Sequence, residues 1–288
     1  MQTVRKLLPN EFPEALLEIP QPPKHLYIEG SLPDYSKTFL TVIGSRKYSS
    51  YGREACERLI DGLRGYPIVI VSGLALGIDA IAHRSALNAK LQTISFPGSG
   101  LSRKVLYPAT NARLADEIVE SGGALISEYE PDFRATTWSF PQRNRLMAGI
   151  SKATLVIETP EKSGSLITAR LALDYNKEVY SVPGSIFSSS SKGTNRLIKE
   201  GATPITESSD LLSALGFSVE RNISQNNSLL LDCSSDERNV LEILNEPLSR
   251  DELVKKAELP VHQLNSVLSL LEIKGLISEQ FGEIHRII

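Results

Sequence analysis

Short apolar runs alternate with amphipathic helical stretches along most of this chain. From Phe39 onward each run ends at a glycine, a serine or a carboxylate, and a segment with helical spacing follows it. Because the runs are apolar at consecutive positions, they are typical of strands that are buried on both faces. The pattern predicts an α/β fold in which a parallel sheet is covered by helices on both sides. The predicted strands are FLTVIG, IVIVSG, QTISFPG, ALISE, ATLVIE and EVYSVPG.

The segment before the first of these runs is interrupted by prolines. Pro20, Pro22 and Pro23 forbid a continuous helix there, because proline lacks an amide proton and its ring clashes with the preceding turn. We expect a short helix near Glu14 to Glu18, followed by an extended arm that leads into the first strand.

The C-terminal part of the chain has a different pattern. Residues 217–232 contain a cluster of Asn, Ser and Gln that is typical of a linker. Helical spacing then covers Asp236 to Leu244, a capping box begins at Ser249, and a further helix stops at Gly275. Two short strands on either side of Phe281-Gly282 complete a winged-helix arrangement. The predicted divisions are an N-terminal extension (1–38), an α/β domain (39–216), a linker (217–232) and a winged-helix domain (233–288).

Composition places the chain among globular proteins with few special constraints. With 288 residues, 41% of them hydrophobic, it is long enough for one sizeable core and a small satellite domain. The apolar runs are too short to span a membrane, and the N-terminus lacks the apolar stretch of a signal peptide. Cys56 and Cys233 lie too far apart in sequence to indicate a disulfide framework. These features predict a cytoplasmic protein.

The net charge of −3 hides an asymmetry between the two predicted domains. Residues 39–216 carry 20 basic and 17 acidic side chains, a net charge of +3. Residues 233–288 carry 6 basic and 10 acidic side chains, a net charge of −4. Any affinity for nucleic acid is therefore expected in a local patch of the α/β domain.

Two glycine- and serine-rich loops follow predicted strands and precede predicted helices. Gly44-Ser45-Arg46 forms the first loop, and Lys162 with Ser163-Gly164-Ser165 forms the second. Glycine lets the backbone approach a ligand, helix N-termini favour anions, and arginine suits phosphate. Because the carboxyl ends of parallel strands share one sheet edge, several anion sites on that edge suit a polyanion.

A third basic segment, Arg143-Asn144-Arg145, lies on a predicted helix. Residues two positions apart do not share a helical face, so one arginine, or Asn144, is open to a structural role.

Candidate catalytic groups are few. Asp79 and His83 are four residues apart and can form an acid–base pair, although a helix-start aspartate and a histidine in a polar niche fit better. Glu128 follows a predicted strand and is a possible lone base. The four histidines have no metal-ligand spacing, and no phosphate-binding loop motif or nucleophile elbow occurs. We therefore expect no metal and no cofactor.

Several motifs occur in one order along the chain, and together they resemble the DNA-processing A family, DprA, also called Smf. The resemblance covers residues 39–216, and residues 233–288 resemble that family's C-terminal winged-helix domain. The motifs are GSR (44–46), SGLALGIDAIAH (72–83), YPATN (107–111), SE (127–128), FPQRNRLMAGIS (140–151), SGSLITARLAL (163–173), VPGS (182–185) and KGTNRLIKEGA (192–202).

The resemblance implies an extended Rossmann-like fold that forms a homodimer and binds single-stranded DNA without catalysis. It further implies protection of incoming DNA, loading of the RecA recombinase onto it, and displacement or bypass of single-strand-binding protein during natural transformation. The DNA pocket implied by the motifs comprises Gly44, Ser45, Arg46, Arg113, Arg143, Asn144, Arg145, Lys162, Ser163, Gly164 and Ser165.

Two other functions are open at the level of sequence. Nucleotide phosphoribohydrolases of the lysine-decarboxylase-like group share this fold and carry a PGGxGTxxE motif. In the corresponding PEKSGSLITAR, Thr168 takes the glutamate position and no carboxylate occurs from Lys162 to Leu173, so the general base is missing. The other alternative is an interaction scaffold without DNA binding. In the winged-helix domain, the third helix has too few cations for duplex DNA, which favours a protein-contact or regulatory role.

Overall fold

The computed structural model describes residues 3–218, 233–244, 247–257, 259–280 and 282–286. The chain divides into two compact units, Met1–Ser218 and Val219–Ile288. The predicted linker lies almost entirely outside the described residues, as does Phe281 of the predicted hairpin.

The first unit contains one nine-stranded sheet and eight α-helices among its described residues. Its strands are β1 (Arg5–Lys6), β2 (Tyr27–Gly30), β3 (Thr38–Ile43), β4 (Ile68–Ser72), β5 (Gln92–Ser95), β6 (Ala124–Ser127), β7 (Ala153–Val156), β8 (Glu178–Ser181) and β9 (Thr203–Pro204). Its helices are α1 (Glu14–Leu17), α2 (Ser50–Asp61), α3 (Ile78–Asn88), α4 (Ala112–Glu120), α5 (Ser139–Ile150), α6 (Gly164–Asp174), α7 (Lys192–Lys199) and α8 (Ser208–Ala214).

The strand order of the sheet is β1-β2-β6-β5-β4-β3-β7-β8-β9. All neighbours from β6 to β9 are parallel, as the alternating pattern predicts. The chain runs outward from β3 through β4, β5 and β6, and then returns to the other side of β3 through β7 and β8. The order therefore reverses between β3 and β7, and the carboxyl ends of these two strands form the crevice where such sheets bind ligands.

The central strands are apolar because both of their faces are covered. Leu40 and Val42 of β3 and Ile70 of β4 have no exposed surface. Burial on both faces removes the alternation of polar and apolar residues that a half-exposed strand would show.

The N-terminal segment differs from the extended arm that the sequence predicts. The helix α1 is present, but β1 and β2 add two antiparallel strands to the edge of the main sheet. In this pairing Ile28 lies opposite Ile126 of β6. Leu16 and Leu26 are fully buried in the core of the unit. Strand pairing across about 100 residues leaves no local periodic pattern, and the prolines hide what pattern there is.

The second unit is a winged helix with a core of its own. The core includes Leu241, Leu253, Leu264 and Leu271, all nearly inaccessible to solvent. The predicted capping box is confirmed: the side chain of Ser249 accepts from the amide of Glu252. The elements are α9 (Ser235–Ile243), β10 (Leu248–Ser249), α10 (Arg250–Lys256), α11 (Val261–Ile273), β11 (Ile277–Gln280) and β12 (Glu283–Arg286), with sheet order β10-β12-β11.

Two titratable groups of α3 are buried rather than paired with each other. Asp79 lies in the first turn, where its Oδ2 accepts the amide of Gly73 at 3.1 Å. His83 is fully buried, with Nδ1 2.7 Å from Oγ1 of Thr93. The Thr93 hydroxyl donates to the Ile70 carbonyl, so Nδ1 must carry the proton of a neutral ring. The structural explanation of both residues is confirmed, and the acid–base pair is not formed.

We predict that His83 makes stability fall as the pH is lowered. Burial lowers the pKa of His83 from 6.5 to about 3. Below pH 6.5 the imidazole is therefore protonated in the unfolded chain and stays neutral in the folded chain. The free energy of unfolding then falls by up to about 1.4 kcal/mol per pH unit until the pH approaches 3. Urea titrations at several pH values measure this slope.

His83→Asn keeps a donor toward Thr93 and should flatten the pH dependence relative to the wild type. His262→Asn, at an exposed histidine on α11, is the matched control and should leave the slope unchanged. Equal slopes for wild type and His83→Asn would contradict the prediction.

Candidate functional site

A cavity of about 870 Å³ lies at the carboxyl ends of β3 and β7. It is the crevice expected where the strand order reverses. Eight of the eleven residues implied by the motifs line it: Gly44, Ser45, Arg46, Arg143, Asn144, Ser163, Gly164 and Ser165.

The loop after β3 passes very close to the start of α3. A Cβ atom at Gly44 would lie 2.7 Å from Cγ1 of Ile78, and one at Gly77 would lie 2.2 Å from the carbonyl oxygen of Ser45. Glycine is therefore required at both positions. The amide of Ser45 donates to the carbonyl of Glu158 at 2.7 Å, which ties this loop to the end of β7.

Two exposed cations follow in this loop, Arg46 and Lys47. Within the described part of the chain, neither forms an ion pair. Both residues line the cavity, and neither charge is taken up by an ion pair there. Lys47 was not among the predicted residues, although its position next to Arg46 is a signal that sequence analysis could use.

An aromatic wall stands beside Arg46. The guanidinium carbon of Arg46 lies 5.5 Å from the ring centroid of Phe140, which is cation–π distance. The Phe140 ring in turn lies 5.5 Å from that of Tyr107. Both rings line the cavity. The wall therefore combines a positive charge with planar apolar surface. Both rings lie in motifs that carry the family resemblance, but neither was among the predicted site residues.

The second loop forms the N-terminus of α6. The Ser163 side chain caps this helix by accepting from the amide of Ser165, and the hydroxyl of Ser165 lies 2.8 Å from that of Ser163. A Cβ atom at Gly164 would meet nothing within 4 Å, so the first turn of the helix is open toward the cavity. The amides at a helix N-terminus carry partial positive charge and favour an anion.

Arg143 is buried, and it braces the ends of two strands. Its Nη1 donates to the carbonyl of Gly73, after β4, at 2.6 Å, and also to the carbonyl of Phe96, after β5. A Cβ atom at Gly73 would lie 2.4 Å from Nη1, so glycine makes room for the guanidinium. Burial lowers the pKa of Arg143 to about 10, which still leaves it charged at neutral pH. The residue lies in the floor of the cavity, and its donors serve the fold.

Asp79 also lines the cavity, and among the described lining residues it is the only carboxylate. Burial raises its pKa, while the charge of Arg143 and the amides of Ala75 and Gly73 act in the opposite direction.

Three of the eleven residues lie outside the cavity. Arg145 points away from Arg143, and its Nη2 donates to both carboxylate oxygens of Glu128, at 2.5 and 2.6 Å. Glu128 is therefore held in an ion pair rather than set as a lone base. Arg113 is exposed on α4 and pairs with Glu117, and Lys162 is exposed beside the cavity wall without lining it. Their part in binding stays a prediction.

Glu158, which sequence analysis missed, organises the loops around the cavity. Its side chain is buried and accepts from the amide of Ser49 at 2.8 Å, the hydroxyl of Ser49 at 2.7 Å and the hydroxyl of Ser190 at 2.5 Å. Gly52 makes room for this carboxylate, since a Cβ atom there would lie 2.3 Å from Oε2. The loop after β3 and the loop after β8 are thus joined through one side chain. The only signal in the sequence is a carboxylate that ends an apolar strand.

An anion in the cavity can therefore contact two exposed cations, serine hydroxyls and the open N-terminus of α6. A planar group can contact the aromatic wall. No cluster of three or more His, Cys, Asp or Glu side chains suited to a metal occurs among the described residues. None of the helices in the described ranges combines the length and apolarity needed to cross a membrane.

Comparison with known proteins places the chain in a family. Residues 4–216 match DNA recombination-mediator protein A, and residues 228–283 match the DprA winged helix domain. The chain is 40% identical to Protein Smf of Escherichia coli (strain K12) over 208 residues, which cover 72% of this chain and 55% of that protein. It is 36% identical to DNA processing protein DprA of Bacillus subtilis (strain 168) over 215 residues, which cover 74% of this chain and 70% of that protein. The chain thus spans little more than half the length of the E. coli relative.

Solved structures support the same assignment. DNA processing protein A from Streptococcus pneumoniae superposes with a TM-score of 0.69 at 38% identity, over 75% of each chain. The Helicobacter pylori protein, whose structure was described for its single-stranded DNA binding mode, gives a TM-score of 0.67 at 32% identity, over 75% of this chain and 98% of that one. The fold class predicted from the sequence is confirmed by these neighbours and by the winged-helix match. The chain therefore belongs to the DNA recombination-mediator protein A family, with an extended Rossmann-like unit followed by that family's winged-helix domain.

Proposed function

We propose that this chain is a non-catalytic recombination mediator that binds single-stranded DNA in the cavity between β3 and β7. The observation that carries the proposal is the unpaired Arg46–Lys47 loop facing the open N-terminus of α6 across one cavity. The related H. pylori protein, described as binding single-stranded DNA, supports the choice of ligand.

Each part of a nucleotide has a matching surface in this cavity. Phosphate oxygens suit Arg46, Lys47 and the amides that begin α6. A base suits the rings of Phe140 and Tyr107, because every base has a planar face. Stacking and phosphate contacts carry no base-edge code, so we expect little sequence preference.

Arg46→Ala and Lys47→Ala should each weaken binding of an oligothymidine and reduce its salt dependence. Each lost phosphate contact should lower the slope of log affinity against log salt by about 0.7. The loss of a charge-assisted hydrogen bond should cost about 1.5–3 kcal/mol. Fluorescence anisotropy over a range of salt concentrations measures both quantities.

Arg53→Ala is the matched control, because Arg53 is an exposed arginine on α2 that pairs with Glu57 outside the cavity. It should keep the wild-type affinity and slope. If Arg46→Ala and Lys47→Ala behave like this control, the cavity is not the DNA site. If they weaken binding as expected, Arg113→Ala and Lys162→Ala report whether the strand continues beyond the cavity.

Arg143→Ala should lower the stability of the fold, whereas Arg46→Ala should lower the affinity for DNA. Its removal leaves the buried carbonyls of Gly73 and Phe96 without a donor, which should cost roughly 2–5 kcal/mol of stability. Urea denaturation measures the loss, and the exposed Arg46→Ala variant should unfold like the wild type. An Arg143→Ala variant of wild-type stability would contradict the bracing role.

A homodimer is part of the proposal, and the face formed by α6 and α7 supports it. A groove of about 360 Å³ runs between these helices, with Ile167 and Leu173 exposed along it. Two basic and two acidic side chains line the same groove. Arg196 and Glu200 pair with each other within the chain, so a two-fold contact can pair Arg170 of one copy with Asp174 of the other. Two pockets on one strand also raise the effective DNA concentration. The charged residues are Arg170, Asp174, Arg196 and Glu200.

Leu173→Glu should convert the dimer into a monomer, because it places a charge in the apolar centre of this face. Leu8→Glu is the control, since Leu8 is similarly exposed beside the far edge strand β1. Sedimentation velocity at micromolar concentration separates the two states. A wild-type monomer, or equal effects of the two variants, would contradict the proposed interface.

The finer parts of the function follow from family membership. We propose that the protein acts in the cytoplasm during natural transformation, where it protects incoming DNA and loads RecA recombinase in place of single-strand-binding protein. The family description as a recombination mediator supports this assignment. The test measures RecA filament assembly on single-stranded DNA that is coated with single-strand-binding protein. Addition of the wild-type chain should speed this assembly, and addition of the Arg46→Ala variant should not.

We further propose that the chain is not an enzyme that processes nucleotides. Thr168 lines the cavity where that chemistry would place its glutamate, and Asp79 is engaged by the amide of Gly73. Incubation with nucleoside monophosphates should release no free base, and DNA binding should persist in a metal chelator.

A further inference from the structure

The loop after β8 carries the most exposed large apolar side chain in the described ranges. Phe187 is 93% exposed, and its neighbour Ile186 is 79% exposed. Neither side chain belongs to the hydrophobic core of the first unit, as far as the described residues show. An apolar ring held in water favours a partner with a flat apolar face.

The first end of this loop is fixed to the fold by three hydrogen bonds. The Asn195 side chain pairs with both backbone groups of Gly184, at 3.1 and 2.9 Å. The hydroxyl of Tyr51 donates to the carbonyl of Pro183 at 2.6 Å. The loop therefore leaves the sheet in a set direction.

The second end is fixed to the cavity itself. The hydroxyl of Ser190 donates to Glu158, and it lies 2.8 Å from that of Ser188. A turn bond from the amide of Ser188 to the carbonyl of Ser185, at 3.1 Å, closes the loop around Phe187. Because Ser189 lines the cavity, the Cα of Phe187 lies within about 8 Å of the cavity wall.

The surroundings favour a nucleic-acid base over a protein surface. The loop around the two apolar residues consists of uncharged serines from 185 to 191, which do not repel a phosphate backbone. A protein interface needs a contiguous apolar area, whereas stacking needs a single held ring. The anchored stem has already removed much of the motion that binding would have to restrict.

We propose that Phe187 is a second base-stacking position, which holds the nucleotide next to the one in the cavity. This inference rests on the proposed binding of single-stranded DNA and extends it to a residue outside the cavity. Stacking is non-ionic, so Phe187 contributes affinity without adding to the salt dependence.

The test compares Phe187→Ala, Phe187→Leu and Phe187→Tyr in the full chain, by anisotropy with oligothymidine. Ala and Leu should each weaken binding by roughly tenfold, because neither can stack, while Tyr should stay within about twofold of the wild type. The slope of log affinity against log salt should be the same for all four proteins. An oligomer of abasic residues should bind the wild type and Phe187→Ala equally.

Three outcomes would overturn the proposal. Wild-type affinity for Phe187→Ala would show that the ring touches no base. Wild-type affinity of Phe187→Leu for oligothymidine, together with a monomeric Phe187→Ala in sedimentation, would identify the loop as a contact between two copies. Failure of the wild type to bind any oligothymidine would remove the proposed function as well. If Arg46→Ala loses binding and Phe187→Ala keeps wild-type affinity, only the inference about Phe187 is removed.

Discussion

The hydrogen bonds of the Glu158 carboxylate determine the shape of the cavity. This buried side chain joins Ser49, at the start of α2, to Ser190, after β8, and its own carbonyl accepts from Ser45. An isolated buried carboxylate would be costly, and the donors around Glu158 offset that cost. Because both loops depend on one side chain, the positions of Arg46 and of Phe187 are set relative to each other. Gly52 is part of the same arrangement, since any larger residue would displace the carboxylate.

The arginines around the cavity divide into those that are buried in the fold and those that are exposed to the cavity. Arg143 and Arg145 are buried and are used by the carbonyls of two strand ends and by Glu128. Arg46 is exposed, and the Phe140 ring beside it limits its motion without neutralising its charge. Buried cations still contribute to the field in the cavity, but a ligand cannot replace their hydrogen bonds at low cost. A basic motif is therefore a poor guide to which of its members contact a ligand.

The elements whose signals are local could be predicted from the sequence. The consecutive apolar positions of β3, β4 and β7 indicated buried parallel strands, and glycines after strands indicated loops open to an anion. The antiparallel strands β1 and β2 were missed, because their pairing with β6 depends on contacts between distant parts of the chain. Glu158 was missed for a related reason: its partners are Ser49 and Ser190, which are distant in sequence. The spacing of Arg143 and Arg145 predicted that they could not share a face, but it could not say which one would lie at the cavity.

The surface proposed to bind single-stranded DNA is built from groups that every nucleotide can satisfy. The amides that begin α6 and the cation of Arg46 address charge, and the rings of Tyr107 and Phe140 address planar surface. Amide and carboxylate side chains that could read base edges are nearly absent from the described cavity lining: Asn144 accepts from Arg143, and Asp79 accepts from Gly73. Discrimination between bases requires donors and acceptors that are left unpaired by the wrong base. A cavity whose polar side chains are already engaged in holding the fold can bind a strand tightly and still accept any sequence.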